Sequence, residues 1–129
     1  MHKDFDAWNK EKKKTNDNQS YLPLYHEREI RWCRFGLNIG FEQDGTGRSY
    51  SRPALILKGF SRHVCLVVPL TTSTKKNKYY IPIGTVAGKD ASVIISQLRL
   101  IDTRRLDQSI VTMDKAMFEP IRKAVKDML

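Results

Sequence analysis

Polar and apolar positions alternate along Glu29-Ile30-Arg31-Trp32-Cys33-Arg34-Phe35. This predicts a half-buried strand with Ile30 and Trp32 on one face and Glu29, Arg31 and Cys33 on the other. Four more short runs follow: Ala54-Leu55-Ile56-Leu57, Val64-Cys65-Leu66-Val67-Val68, Tyr79-Tyr80-Ile81-Pro82-Ile83 and Ser92-Val93-Ile94-Ile95-Ser96. Each is rich in β-branched or aromatic residues and bounded by Gly, Pro, Lys or Asn, the signature of a strand between turns. Asp44-Gly45 and Thr46-Gly47 mark a flexible loop between the first two strands. No helical period separates the strands to build parallel crossovers, so the pattern predicts a small barrel or sandwich. The period changes near the end of the chain. There Met113, Met117, Ile121, Val125 and Met128 recur every three or four residues and predict a helix laid on the barrel by one apolar stripe. Thr112 is its candidate cap. Pro120 would cost about 3 kcal/mol inside a helix, so either the helix kinks there or its firm part begins with Pro120 in the first turn.

The chain ahead of the strands differs in kind. Residues 4–19 are polar and lysine-rich, with Phe5 and Trp8 spaced for a short helix and little else apolar. Composition changes at Tyr21 and Pro23. This divides the chain into a Lys-rich arm (1–24) and a mainly β domain with a C-terminal helix (25–129).

Charge adds the first functional signal. The 129 residues suit a single domain, and 23 Lys and Arg against 14 Asp and Glu give a formal charge of +9. Such a molecule attracts a polyanion: nucleic acid first, an acidic protein second, an anionic membrane a distant third. No stretch approaches the ~20 apolar residues that cross a bilayer, and the charged first residues lack the apolar centre of a signal peptide. The expectation is a cytoplasmic protein, with Cys33 and Cys65 as buried thiols in a reducing compartment. Cys33, Cys65, His2, His26 and His63 show no CxxC or HxxxH spacing, so neither a metal nor another cofactor is expected.

Five segments in order carry a family resemblance. They are Glu29-Ile30-Arg31-Trp32, Gly40-Phe41-Glu42-Gln43, Ser51-Arg52-Pro53-Ala54-Leu55-Ile56-Leu57, Val68-Pro69-Leu70-Thr71-Thr72, and Ser96-Gln97-Leu98-Arg99-Leu100-Ile101-Asp102 with Arg105-Leu106. Together they resemble the motif series of the MazF/PemK toxins, over about residues 27–129. The resemblance implies an SH3-like barrel with a C-terminal helix, working as a homodimer. It also implies cleavage of single-stranded RNA at short sequences and silencing by an antitoxin peptide. The catalytic pair it implies is Arg52 and Thr71. Base contacts fall on Glu42, Gln43 and the residues after Thr71, here Thr72 and Ser73, with Ser96, Gln97 and Arg99 in support.

The chemistry of these residues suits those roles. RNA carries its own nucleophile, the 2′-hydroxyl, so an enzyme need only align it with the phosphorus and stabilise charge on the phosphoryl oxygens. A guanidinium offers a planar fork of two hydrogen bonds to a phosphate and keeps its charge, and a Thr hydroxyl adds a neutral donor. The same permanence of charge makes Arg52 a poor proton shuttle, so its work is mainly electrostatic. Arg48, Lys58, Lys75 and Lys76 can neutralise phosphates, and Tyr79 or Tyr80 can stack on a base. His26 and His63 form a rival acid–base pair but lie in no matching motif. Some family members carry a carboxylate just before the Gln of the last motif, where this chain has Ser96. A serine cannot serve as that base, so either the 2′-hydroxyl is activated otherwise or turnover is weakened. Two other readings fit a basic barrel: a non-catalytic toxin resembling the CcdB type that binds a topoisomerase, and a plain RNA-binding barrel. The antitoxin is expected to be acidic, partly disordered and folded on binding over the basic groove.

Overall fold

A computed structural model describes residues 22–35 and 51–129. The arm with Phe5 and Trp8 and the loop with Asp44-Gly45 and Thr46-Gly47 lie outside the described residues. Among the described residues seven strands are formed: β1 (Glu29–Arg34), β2 (Ser51–Gly59), β3 (Val64–Thr71), β4 (Tyr80–Val86), β5 (Lys89–Ile94), β6 (Arg99–Asp102) and β7 (Leu106–Thr112). A helix, α1 (Lys115–Met128), follows them. Short 3-10 turns at Ile95–Gln97 and Thr103–Arg105 join β5 to β6 and β6 to β7.

Every strand pairing is antiparallel, in the order β4-β5-β3-β2-β1-β7, with β6 also on β3. Strand β3 changes partner along its length. Val64 to Val67 pair with β6, whereas Leu70 and Thr71 pair with β5. Pro69 sits in the interval between the two ladders, where its missing N–H costs no hydrogen bond on that side. The result is a mainly β half-barrel with one C-terminal helix, as the strand pattern and the family resemblance together lead one to expect.

The sheet is covered on both faces. Ile30, Leu55, Val68, Val93 and their neighbours pack with Phe118, Ile121 and Val125 of α1 in the larger core. Cys33, Phe35, Ala54, Ile56, Cys65, Val67, Ile101 and Leu106 form a second. This second core corrects the simple in-and-out reading of β1. Cys33 is fully buried although it lies opposite in parity to Ile30, and Glu29 is buried as well. The Glu29 side chain accepts the His26 amide at 2.9 Å and pairs with Arg31 at 3.3 Å, which gives its buried oxygens partners.

Strands β6 and β7 and the start of the helix depart from the sequence reading. Strand β7 carries almost no apolar alternation, because among the described residues it pairs only with β1 and most of its side chains face water. Thr112 closes β7, and Asp114 takes the N-cap position of α1 instead. Pro120 stands inside the helix. The carbonyl that loses its bond to Pro120 belongs to Ala116, an exposed residue that water can serve.

Burial gives the fold an alkaline limit. Desolvation pushes the Cys33 thiol up from 9.0 to about 12, with the Cys65 thiol adding to the effect. It does the same to Cys65, and it raises the Tyr25 phenol from 10.0 to about 12. A folded-state pKa above the unfolded one gives stability that is complete below the unfolded value and lost as pH climbs toward the folded value. The fold should therefore hold its stability up to about pH 9 and lose several kcal/mol between there and pH 12. Most of that loss belongs to the two buried thiols, since each pH unit separating a group's folded and unfolded pKa is worth about 1.4 kcal/mol. Tyr25 is only partly buried and adds less, because water screens it. Urea melts across that range read the loss directly. An unchanged midpoint would contradict the burial of these groups.

Candidate active site

Arg52 is the second residue of β2, and Thr71 closes β3. Ala54 pairs with Pro69 across these strands, and the same register carried two residues further sets Arg52 opposite Thr71. On its other side Arg52 pairs with Cys33 of β1. Both residues are largely buried, Arg52 at 8% and Thr71 at 6% exposure, and both line one cleft of about 250 Å³. Trp32, Pro53 and Leu70 form apolar parts of its wall. An apolar wall lowers the local dielectric, which strengthens the attraction between a guanidinium and an anion.

The Thr71 hydroxyl has two jobs available. Its oxygen accepts the Ser73 amide at 3.1 Å, which folds the chain sharply after β3, and its proton remains to be donated. The Ser73 hydroxyl repeats the arrangement with the Lys75 amide at 3.2 Å. This string of turns leads from the cleft into a wider one of about 580 Å³, lined by Thr72, Ser73, Lys75, Lys76 and Tyr80, with Thr72 and Ala91 common to both. Lys75 lies 5.7 Å from the centre of the Tyr80 ring, so a cation and an aromatic face stand together there. Tyr79 instead packs against the larger core. Tyr80 lines the wider cleft, whereas the Tyr79 ring has Lys78 5.2 Å from its centre.

One cation at the cleft was absent from the sequence reading. Lys89 lines it, placed by the tight β4–β5 turn in which Ala87 (φ 52°) and Gly88 (φ 83°) both take left-handed backbone. The Ala-Gly-Lys turn was the signal that could have found it.

The remaining candidates are spread out. Lys58 is near the far end of β2, six positions from Arg52, with its ammonium 5.7 Å from the Phe60 ring. Exposed Ser96 and half-buried Gln97 lie in the turn after β5, outside the cleft lining. Arg99 pairs with Val67 and rests over Phe35 at 5.2 Å. Glu42, Gln43 and Arg48 lie outside the described residues. The rival histidines are remote from the cleft. His63 precedes β3 at the end opposite Thr71, and His26 precedes β1. Among the described residues no group of three His, Cys, Asp or Glu side chains could hold a metal ion, and no helix is long and apolar enough to cross a membrane.

Comparison with known proteins places this arrangement. The fold matches MazF from Deinococcus radiodurans with a TM-score of 0.67 at 20% identity, over 84% of this chain and 96% of that one. It matches the Mycobacterium tuberculosis toxin MazF-mt6 with a TM-score of 0.60 at 16% identity, over 78% and 94% of the two chains. A mycobacterial endoribonuclease in complex with its cognate antitoxin matches with a TM-score of 0.59 at 15% identity, over 81% and 93%. No curated protein matches the sequence. The family of PemK-like, MazF-like toxins of type II toxin-antitoxin systems matches residues 26–129, nearly the whole of the described chain, and this protein belongs to it.

Proposed function

We propose that this toxin is an endoribonuclease that cleaves single-stranded RNA by attack of the 2′-hydroxyl on the adjacent phosphorus, without a metal. The observation that carries the reading is the meeting of Arg52 and Thr71 across β2 and β3 in one cleft with Lys89 at its edge. Arg52 stabilises the charge that builds on the non-bridging oxygens, and the Thr71 hydroxyl donates a further hydrogen bond. The attacking hydroxyl forms a bond to phosphorus as the 5′-oxygen of the next nucleotide leaves, so the products are a 2′,3′-cyclic phosphate and a 5′-hydroxyl. The segment carries Ser96 in place of a carboxylate, so water or a phosphate oxygen takes the 2′-hydroxyl proton, and water returns one to the departing 5′-oxygen. The neighbouring cleft, with Lys75, Lys76 and Tyr80, holds flanking phosphates and a stacked base.

The working protein is a cytoplasmic homodimer, neutralised by an acidic antitoxin that folds over the basic clefts. The two buried free thiols suit a reducing compartment. Incubation with single-stranded RNA in EDTA tests the reaction. Fragments ending in cyclic phosphate are the expected result. Intact RNA together with retained growth arrest would move the protein to the class of toxins that act by binding a protein target.

A further inference from the structure

A third cationic cleft lies at another edge of the sheet, and the strand register fixes its place relative to Arg52. Cys33 of β1 pairs with Arg52 on one side and with Leu106 of β7 on the other, and Arg34 pairs with Ser51. Arg105, which immediately precedes Leu106, is thus carried to within about two inter-strand spacings, roughly 10 Å, of the Arg52 position. Arg34, Asp102, Arg104 and Arg105 line a cleft of about 430 Å³ at this edge.

The charges here are unevenly compensated. Arg104 is held by Asp102 in a two-pronged ion pair, at 2.8 and 3.0 Å, which keeps the Asp102 carboxyl down at about 2. Arg34 pairs with Asp107 at 3.3 Å and donates to the Arg104 carbonyl. Arg105 makes no ion pair among the described residues. Its guanidinium donates to the Arg34 carbonyl at 3.0 Å, a bond that fixes its position and leaves its charge intact. A further sign of its place is its field at Cys33, where Arg105 and then Arg99 act against the burial that raises that thiol. The guanidinium therefore lies near the residue that pairs with Arg52.

We infer that Arg105, oriented by the Arg34 carbonyl, binds a phosphodiester of the RNA strand close to the one held at Arg52. The inference rests on the ribonuclease reading for its choice of polyanion. A fixed, uncompensated guanidinium is suited to a phosphate because its fork is set before binding and little side-chain entropy is lost. A strand lying across β2, β1 and β7 would meet Arg52 first and Arg105 next. Arg105 touches no reacting atom in this arrangement; it holds the chain and sets how the scissile linkage lies.

Binding of a short 2′-fluoro oligonucleotide by the full-length protein tests this, since that ribose lacks the nucleophile and nothing is cleaved. Arg105→Gln should flatten the plot of log affinity against log salt by about 0.7, the amount expected for one lost phosphate contact to a single strand. Arg105→Lys should keep most of the slope. Lys126→Gln, an equal change of charge on the exposed face of α1, should leave it unaltered. The inference is overturned by a wild-type slope in Arg105→Gln, or by the same loss in Lys126→Gln. It is also overturned if Arg105→Gln weakens only an acidic peptide, for then the anion is a carboxylate. A parallel assay on unmodified RNA separates the two readings. Cleavage by the parent with an unchanged Arg105→Gln slope removes this subsite alone, whereas no cleavage with a flattened slope removes the nuclease and leaves the subsite.

Discussion

Replacing Arg52 by alanine should lower the rate of RNA cleavage by about 10²- to 10³-fold, the usual consequence of deleting one donor aimed at developing charge. The magnitude follows from where the residue stands. Arg52 is largely buried beside Trp32 and Leu70, so its attraction for a phosphoryl oxygen is screened less than that of a surface lysine. Water entering the space left by the side chain would screen the anion further. Arg52→Lys should recover only part of the rate, because an ammonium supplies charge without the paired geometry of the fork. Thr71→Val, nearly isosteric, removes one neutral donor and should cost about fivefold, in line with about 1 kcal/mol for such a bond. It should also loosen the turn after β3, whose Ser73 amide loses its acceptor. Single-turnover rates on a defined RNA, with thermal melts to show that each variant is folded, give the comparison. An Arg52→Ala protein cleaving within a few-fold of its parent would remove this residue from the mechanism.

The strand pattern revealed the barrel where one face of a segment met the core, and it lost definition where that condition failed. β2 and β3 are strongly apolar because both of their faces are covered, so their existence was plain while their facing was not. β1 looks like a strand with one wet side, yet Cys33 is covered by the second core, a layer no local pattern announces, and Glu29 is buried as well. β7 carries no such pattern because its side chains are mostly exposed. The same distinction holds for the site. Arg52 and Thr71 stand in ordered segments that the motifs mark, and their pairing needs only the register of two adjacent strands. Lys89 and Arg105 reach the same neighbourhood through a tight turn and through pairing across β1, and sequence spacing carries neither relation.

The helix offers the sharpest test of packing, because sequence and structure assign different residues to its buried stripe. The recurrence every three or four residues takes Met117 inward. In the fold Met117 is 43% exposed, and Phe118 is the residue that enters the core, at 2% exposure, with Ile121 and Val125 one and two turns further on. The stripe is therefore 118, 121 and 125, while Met113 is buried from the segment before the helix. The amides of Met117 and Phe118 both reach back to the Asp114 carbonyl, at 3.2 and 3.0 Å, which sets the phase of the first turn. Phe118→Ala should accordingly cost about 3–5 kcal/mol, combining lost burial with the cavity left between α1 and the strands. Met117→Ala should change stability by less than about 0.5 kcal/mol, as for an ordinary surface substitution. Urea denaturation of the two variants decides between the phases. Equal costs, or the larger one at Met117, would mean that α1 is rotated from the position described, and with it the packing that supports β1, β2 and β3 beneath the cleft.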